Sequence, residues 1–540
     1  MTTPHTPSPN DSPRIAIMDT TLRDGEQTPN VAYTPIEKLH LAKFLLERVR
    51  VDRIEIASAG VSGGERHAAE YITQWARGAG FLESVEILGF CDGARSIDWI
   101  LGVGGRALNL LVKGSEKHCR GQLRLSPEEH RKNVELTVRR AADRQLRVSV
   151  YLEDWSNGIR HSPDYVRAMV NMLVGLPVAR IYLPDTLGIL EPEQTRQYVQ
   201  QMVSEWPHVS FEFHGHNDYG FATANCLAAV RAGARGIHTS LNGMGERAGN
   251  APLAQTVVAI SDFTELTTGV DETQLVAASQ LVEIHSGKDI AANTPITGSD
   301  VFTQTAGVHA DGDSKGELYV SRLQPQRFNR QRDYALGKLS GKASLDQNLA
   351  RLGLEVSDEE RRLLLARITE LGDKKHTVVP EDLPFILNDV LKRPGSLKYR
   401  IESYEVTLAR SAEPRASVTL SDGVTEHSLT TGGAGGYDAL MNAVRTLATE
   451  FGLVIPRLVD FRVRIPPSGR TEALVETRIV WQREDSDEAP FSTIGVDTDQ
   501  LASAVIATEK MLNVVASAGA FARASTPPPS LRGTVPPPNS

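Results

Sequence analysis

The sequence predicts an α/β protein whose main part is a (β/α)8 TIM barrel, followed by a helical linker region and a C-terminal α+β domain. From Arg14 to about Leu253, short apolar, β-branched runs alternate eight times with longer segments of helical spacing. Eight such units in roughly 240 residues match the size of this barrel. The candidate reactive side chains also follow the C-terminal ends of the predicted strands, where barrels build their active sites.

The eight predicted strands follow one another along this region. They are Ile15–Asp19, Arg53–Ala57, Val85–Phe90, Ala107–Val112, Arg147–Leu152, Arg180–Leu183, Ser210–His216 and Gly236–Leu241. Two of the intervening helices have clear start signals, because Thr34–Glu37 and Ser126–Glu129 each offer a capping residue, an N1 proline and an N3 glutamate. Helices are therefore expected between the strands.

The pattern changes twice after the barrel. Residues 295–398 are helix-rich, with amphipathic helices predicted at Asp358–Leu371 and Glu381–Leu391. From Tyr399 the pattern predicts a separate α+β domain, with strands Tyr404–Ala409 and Ala416–Leu420, helix Tyr437–Phe451, hairpin Val459–Trp481 and helix Thr498–Val514. The expected domains are a disordered tail at 1–13, the barrel at 14–294, the linker at 295–398, the α+β domain at 399–517 and a disordered proline-rich tail at 518–540.

Composition limits the functional classes. The chain has 540 residues and a net charge of -9 with both signs interspersed, so it offers no basic stripe for a nucleic acid. Its three cysteines are widely separated and predict neither a disulfide framework nor a thiolate zinc site. No apolar run approaches the roughly 20 residues that span a bilayer, and Met1–Pro13 does not resemble a targeting signal. We therefore expect a cytoplasmic protein without nucleic-acid or membrane partners.

Two histidines form the most informative local pattern. His214 and His216 end a predicted strand, on which alternate side chains project from the same face. Asp24 follows the first predicted strand beside Arg23, so the barrel can bring a carboxylate to these imidazoles. Such a site suits a divalent cation that polarises an oxygen-bearing substrate. The alternative is that the histidines are packed or solvated without a metal ion.

Four motifs, in order, resemble those of a known enzyme group. They are Asp19–Gln27, Leu183–Gly188, His214–Asp218 and Asn242–Asn250. From about Ile15 to about Asn513 the chain resembles the isopropylmalate synthase, homocitrate synthase and citramalate synthase group of acetyl-CoA-dependent Claisen condensation enzymes. Within this group it is most similar to the pyruvate-using (R)-citramalate synthases, through Val51–Ala59, Tyr151–Gly158, Val301–Gly312 and Arg464–Pro467.

The resemblance implies a metal-dependent active site with acetyl-CoA as co-substrate. Asp24, His214 and His216 would bind a divalent metal ion, with Asn250 close by. An oxygen and nitrogen donor set of this kind leaves Mn²⁺, Mg²⁺ and Zn²⁺ open. Arg23 would bind the 2-oxoacid substrate and stabilise the alkoxide that develops on its keto oxygen.

The resemblance also implies the groups that handle the substrate and the proton. Thr186 would bind the carboxylate of pyruvate. Glu153 and His309, aided by Asp311 and Tyr319, would remove a proton from the acetyl group, and the linker would thereby contribute to the active site. Which of Glu153 and His309 acts as the base stays open.

Three positions bear on substrate choice. Leu88, Leu111 and Tyr151 stand where citramalate-type enzymes place bulky residues that leave room only for a methyl group. Each one alone also suits an ordinary barrel core, but together they favour pyruvate. The resemblance therefore implies condensation of acetyl-CoA with pyruvate to (R)-citramalate, for isoleucine biosynthesis.

The terminal domain resembles the feedback-sensing domain of the group. The positions that match its effector site are Tyr437, Asp438, Leu458, Phe461, Ile465, Val475 and Gln500. Phe461 stands where a tyrosine is expected, which leaves the effector's identity open. The resemblance implies a homodimer inhibited by isoleucine. The alternative is a domain that only dimerises.

Rival functions stay open. The first is 2-isopropylmalate synthase, which uses 2-oxoisovalerate for leucine biosynthesis. Homocitrate synthase is disfavoured because Leu88, Leu111 and Tyr151 offer its longer dicarboxylate substrate no basic anchor. A metal-dependent lyase or a pyruvate carboxylase shares the barrel and the histidine pair but not the His309 segment or the terminal domain. A non-catalytic amino-acid sensor does not explain the presence of Asp24, His214, His216 and Glu153 together.

Overall fold

The computed structural model describes residues 14–305, 308–309, 312, 315–316, 318–352, 354–373, 378–391, 398–465, 475–483 and 491–524. The predicted tail at 1–13 lies outside the described residues, as does the part of the second tail at 525–540. The chain divides into two compact units. One comprises Met1–Phe302 and Ser321–Gln331, and the other comprises Thr303–Val320 and Arg332–Ser540.

A closed barrel forms the first unit. In chain order its strands are β1 Ala16–Asp19, β2 Arg53–Ser58, β3 Val85–Phe90, β4 Ala107–Lys113, β5 Arg147–Glu153, β6 Val178–Asp185, β7 Phe211–Gly215 and β8 Gly236–Thr239. All neighbouring strands are parallel, and β8 pairs with β1 to close the barrel. The predicted TIM barrel is therefore confirmed. The strand bounds differ by small amounts, as at β8, which stops before the short 3-10 turn Leu241–Gly243.

Helices alternate with these strands. The α-helices are Pro35–Lys43, Gly63–Ala79, Arg95–Gly102, Glu116–His118, Pro127–Asp143, Trp155–His161, Pro163–Val174, Pro192–Glu205, Ala222–Arg231, Leu253–Phe263 and Leu275–Ser286, with π-helical turns at Phe44–Val49 and Cys119–Leu123. Both predicted capping boxes are present: Glu37 N–H donates to Thr34 Oγ1 at 3.3 Å, and Glu129 N–H donates to Ser126 Oγ at 3.2 Å. These caps satisfy N–H groups that the helix itself leaves unpaired.

The main apolar core lies between the strands and the helices. Alternate strand residues such as Ile54, Ile56 and Val150 are fully buried against helix residues such as Leu41 and Met169. Burial of this apolar surface is the main favourable term that holds the helices on the barrel.

The inside of the barrel is filled by charged side chains as well as apolar ones. Arg53 Nη2 in β2 donates to both oxygens of Glu212 in β7 at 2.7 and 2.6 Å, and its Nη1 donates to Glu86 in β3 at 3.3 Å. Tyr182 in β6 donates to the same Glu86 at 3.1 Å. Burial raises the pKa of Glu212, but Arg53 and His238 outweigh it and lower the pKa to about 2. These buried carboxylates are therefore ionised and paired.

The second unit combines short helices with two antiparallel sheets. It begins with the strand pair β9 Thr303–Gln304 and β10 Asp333–Tyr334 and the helices Lys342–Arg351, Asp358–Asp373 and Leu383–Leu391. The first sheet contains β11 Arg400–Ala409, β12 Ala412–Ser421 and β13 Glu426–Gly432 and is followed by helix Gly436–Glu450. The second sheet contains β14 Arg457–Arg464, β15 Val475–Gln482 and β16 Phe491–Asp497 and is followed by helix Gln500–Ala524. The predicted α+β pattern is confirmed. Strands β13 and β16 were not predicted, because β13 is polar and half exposed and β16 contains a glycine.

The last helix is longer than expected. It ends at Ala524, beyond the predicted end at Val514, and so it enters the segment predicted to be a disordered tail. Five of the ten residues from 515 to 524 are alanine, the best helix former, which favours the extension although Gly519 opposes it. Within the described residues, no helix combines the length and the apolar character needed to cross a membrane.

Arg53→Met tests the charged interior of the barrel. The change leaves Glu86 and Glu212 buried without their guanidinium partner, so we expect a loss of about 3–5 kcal/mol in stability, measured as a lower thermal midpoint. Arg139→Met is the control, because Arg139 pairs with Glu135 on an exposed helix surface and should contribute only about 0.3–0.5 kcal/mol. Equal effects of the two changes would contradict a structural role for the buried pairs.

Candidate active site

Three side chains converge near the C-terminal ends of the barrel strands. Asp24 lies in the turn after β1, His214 lies in β7, and His216 leaves the strand on the same side as His214. His214 Nε2 lies 3.2 Å from Asp24 Oδ2 and 3.4 Å from His216 Nε2. The three potential ligand atoms lie within 4.8 Å of one another, and all three residues are buried. The structure therefore brings together the three side chains that were predicted to bind a metal ion.

The charge states of these groups suit a cation. Burial raises the pKa of Asp24, but the Arg23 guanidinium and His214 outweigh it and hold the pKa well below its usual range. Burial, with a smaller contribution from His214, lowers the pKa of His216 to about 4. At neutral pH the cluster therefore offers a carboxylate and a neutral imidazole, the forms that bind metal. The donor set fits Mn²⁺, Mg²⁺ or Zn²⁺.

Asn250 lies beside this cluster. It forms an isolated antiparallel bridge with His216, and its Nδ2 donates to the carbonyl oxygen of Met244 at 2.9 Å. Its Oδ1 is buried and has no hydrogen-bond partner among the described residues. A buried polar atom without a partner is costly, so Oδ1 fits a role as a contact to a bound group, as expected for Asn250.

Arg23 is held by two carboxylates. Its Nε donates to Glu55 Oε2 at 2.6 Å, and its Nη1 lies 3.2 Å from Asp24 Oδ1. Asn109 Nδ2 donates to the other Glu55 oxygen at 2.8 Å. Glu55 and Asn109 thus orient the guanidinium, and sequence reasoning missed both. A charged residue inside the apolar β2 run was the one signal that could have found Glu55.

The three predicted specificity residues lie together. Leu88, Leu111 and Tyr151 form one apolar cluster with Met18 and Tyr182, separate from the main core. This cluster borders the metal-ligand group, because the rings of Tyr151 and His214 meet edge to face with centroids 5.9 Å apart.

A chain of polar contacts runs from Tyr151 of this cluster through His238 to Glu212. Tyr151 Oη lies 3.1 Å from His238 Nδ1, and His238 Nε2 lies 3.1 Å from Glu212 Oε2. Burial lowers the pKa of His238 to about 4, although Glu212 opposes the shift. The imidazole is therefore neutral at neutral pH. These contacts join residues of β5, β7 and β8, so no local sequence pattern predicts them.

Glu153 ends β5, and Thr186 directly follows the neighbouring strand β6. Glu153 in β5 forms an ion pair with Lys113, a buried lysine at the end of β4 that sequence reasoning missed. The Thr186 hydroxyl accepts a hydrogen bond from Asp154 N–H at 2.9 Å. Both predicted residues therefore lie at the end of the barrel expected for an active site.

Family models match three consecutive segments. They are HMGL-like at residues 14–282, homocitrate synthase post-HMGL domain-like at 296–376 and LeuA allosteric (dimerisation) domain at 377–516. The chain is 33% identical over 469 residues to the "Putative (R)-citramalate synthase CimA" of Methanopyrus kandleri, across 86% of this chain and 89% of the relative. It is 31% identical over 454 residues to the 2-isopropylmalate synthase of Neisseria meningitidis serogroup B, across 81% of this chain and 85% of the relative. The chain belongs to the isopropylmalate and citramalate synthase family.

Membership gives the reaction class. This family member is an acyltransferase that converts the acyl group into an alkyl group on transfer. Among solved structures, the hydroxymethylglutaryl-CoA lyase of Pseudomonas aeruginosa has a TM-score of 0.43 at 22% identity, over 52% of this chain and 95% of that chain. A score this low carries no argument about this chain.

Two predicted catalytic residues of this family member lie in the second unit. The rings of His309 and Tyr319 have centroids 4.3 Å apart and are tilted by 34°. Asp311 lies outside the described residues. The roles of all three residues stay predictions.

The predicted effector residues partly come together in the second unit. Tyr437 and Phe461 have ring centroids 4.9 Å apart, and both pack with Leu458 against the core of this unit. Tyr437 Oη shares a 2.8 Å hydrogen bond with Thr508 Oγ1.

The other predicted effector residues have separate environments. Asp438 accepts a hydrogen bond from Ala434 N–H at 2.9 Å, so it caps the loop before its own helix. Val475 is buried, Gln500 begins the last helix, and Ile465 is exposed. Ile465 ends a described stretch, since the next described residue is Val475.

His216→Ala tests the metal site. The change removes one of three converging donors, so we expect the tightly bound divalent metal to fall well below one ion per chain, measured by elemental analysis after dialysis. His130→Ala is the control, because His130 is a buried histidine that bonds Tyr165 Oη at 2.7 Å instead of joining the cluster. A full complement of metal in the His216 variant would contradict the assignment.

Proposed function

We propose that the protein is an (R)-citramalate synthase, which condenses acetyl-CoA with pyruvate to (R)-citramalate and CoA for isoleucine biosynthesis. The observation that carries this proposal is the apolar cluster of Leu88, Leu111 and Tyr151 beside His214. A wall of large side chains next to the metal-ligand group favours a 2-oxoacid with a very small side chain. The name of the Methanopyrus kandleri relative supports the same choice.

Substrate binding would use the groups around the metal-ligand cluster. A divalent ion held by Asp24, His214 and His216 would supply Lewis acidity toward the keto group of the 2-oxoacid. Arg23, fixed by Glu55, would stabilise the negative charge that develops on the keto oxygen. Thr186 accepts from Asp154 N–H and keeps its own hydroxyl proton, which it can donate to the substrate carboxylate.

Carbon–carbon bond formation needs a base. Glu153 or His309 would take a proton from the acetyl methyl group, and the C–H electron pair would form the enolate, with the negative charge on the thioester oxygen. The enolate carbon would then attack the keto carbon of pyruvate, whose oxygen becomes an alkoxide and is protonated. Hydrolysis of the thioester releases CoA. Lys113 would hold Glu153 in place through their ion pair.

The alternative function is 2-isopropylmalate synthase. The Neisseria meningitidis relative bears that name, with an identity and coverage close to those of the citramalate synthase relative. The two functions differ in the side chain of the 2-oxoacid, which is a methyl group in pyruvate and a branched chain in 2-oxoisovalerate. The pocket wall therefore decides between them.

The terminal domain would provide regulation. We propose that isoleucine binds near Tyr437, Leu458 and Phe461, and that the protein acts as a homodimer. The match to the LeuA allosteric (dimerisation) domain supports both parts, and the apolar packing of these three side chains suits an aliphatic amino acid.

Substrate preference tests the proposed reaction. We expect kcat/KM for pyruvate to exceed that for 2-oxoisovalerate by at least about tenfold, since an apolar pocket discriminates by about 10–200-fold per methylene, measured as acetyl-CoA-dependent thiol release. Leu111→Ala should lower this ratio. Leu101→Ala, a partly buried leucine of the helix Arg95–Gly102, is the control and should not change it. A preference for 2-oxoisovalerate in the unchanged protein would replace the proposal by the alternative.

Leu458→Ala tests the regulatory site. Loss of apolar contact should weaken inhibition by isoleucine about tenfold or more while kcat stays close to that of the unchanged protein, measured by inhibition curves at fixed substrate. Leu408→Ala, at an exposed position of β11, is the control. Unchanged inhibition in the Leu458 variant would place the effector elsewhere.

A further inference from the structure

The hydroxyl group of Tyr151 contacts two buried side chains. It lies 3.1 Å from His238 Nδ1 and 3.5 Å from Glu55 Oε2. The contact with His238 is the shorter of the two, so His238 is the stronger partner. The Glu55 oxygens also accept from Arg23 and Asn109 at 2.6 and 2.8 Å. Tyr151, His238 and Glu55 are all buried, so bulk water does not compete for these hydrogen bonds.

The direction of each hydrogen bond follows from the acceptor at the end of the chain. Ionised Glu212 can only accept, so His238 Nε2 carries the proton that it donates. A neutral imidazole protonated at Nε2 presents Nδ1 as an acceptor. The Tyr151 hydroxyl, 3.1 Å away, can then donate its single proton to Nδ1. Arg53 in turn holds Glu212 through two hydrogen bonds, which fixes the far end of the chain.

We propose that His238 and Glu212 are positioning residues for substrate choice, because they pin the ring of Tyr151 as a stiff wall of the 2-oxoacid pocket. This inference rests on the proposed function and deepens it. Tyr151 is suited to this role because its ring borders His214 and its hydroxyl is bonded to His238. Leu88 and Leu111, the other two members of the wall, have no polar group that could be anchored.

Stiffness matters because lost contact alone discriminates weakly. An apolar pocket distinguishes substrates that differ by one methylene by about 1–3 kcal/mol. A wall that cannot move adds a steric penalty for the longer side chain, whereas a wall that can turn to another rotamer does not. Tyr182 also packs against Tyr151, with ring centroids 4.6 Å apart, but this apolar contact is less directional than a hydrogen bond. The hydrogen bond to His238 is the contact that opposes a turn of the ring.

The test compares Tyr151→Phe with His238→Phe and with the double variant. Tyr151→Phe keeps the ring and removes only the anchored hydroxyl, and His238→Phe keeps a ring against Tyr151 and Tyr182 while removing the acceptor. For each protein, kcat/KM is measured for pyruvate and for 2-oxobutanoate, which is longer by one methylene. His130→Phe is the matched control, since His130 is a buried histidine that bonds a different tyrosine hydroxyl.

We expect each single variant to lower the pyruvate to 2-oxobutanoate ratio about tenfold, mainly by a rise for 2-oxobutanoate. The double variant should lower the ratio no further, because both changes break the same bond. The control should lose stability without a change in the ratio. An unchanged ratio in folded Tyr151→Phe would overturn the inference, and so would effects of the two single changes that multiply in the double variant.

Measuring kcat/KM of the unchanged protein for 2-oxoisovalerate as a third substrate separates the inference from the proposed function. A preference of the unchanged protein for 2-oxoisovalerate would refute the citramalate synthase assignment. The anchoring of Tyr151 would then still be tested by the variants. It holds if both single variants shift the ratio of kcat/KM between two 2-oxoacids by the same factor and the double variant shifts it no further.

Discussion

The buried charge inside the barrel is the constraint on which the rest of the structure depends. Arg53 in β2 is bonded to Glu86 in β3 and to Glu212 in β7, so one guanidinium joins strands that are far apart in the chain. Removing such ions from water costs several kcal/mol for each ion unless the partners meet with good geometry. A slip of one residue in β2 would turn Arg53 to the other face of the sheet and leave both carboxylates unpaired. The charges therefore specify the register of the strands as well as filling the barrel.

Two of the barrel strands also position Arg23 in the candidate active site. Glu55 lies two residues after Arg53 in β2, so it projects into the barrel on the same face and nearer the C-terminal end of the strand. There it aims Arg23 at the region beside Asp24, with Asn109 of β4 as its second partner. The position of the functional guanidinium thus depends on the pairing of three strands, and a change deep in the barrel is expected to reach it.

The sequence could predict the features that depend on residues close together in the chain. The eight strands, the caps at Thr34 and Ser126 and the same-side projection of His214 and His216 depend on neighbouring residues, and the structure contains all of them. The contact of Lys113 with Glu153 and that of His238 with Tyr151 depend on strand register across the barrel, which the sequence does not state. Strand β13 was missed for a related reason, since its polar residues form a sheet only through pairing with β12.

The polar interior of the barrel needs an explanation other than stability. Replacing a buried ion pair by apolar side chains of similar volume is often neutral or stabilising by about 1–4 kcal/mol, so stability alone does not explain Arg53 and Glu212. Positioning does, because an apolar filling could hold the Tyr151 ring by contact but could not accept its hydroxyl proton. A tyrosine with an unbonded buried hydroxyl would lose about 1–3 kcal/mol and would turn to find a partner. We therefore infer that the polar interior is retained because Glu212 and His238 give Tyr151 one orientation beside His214.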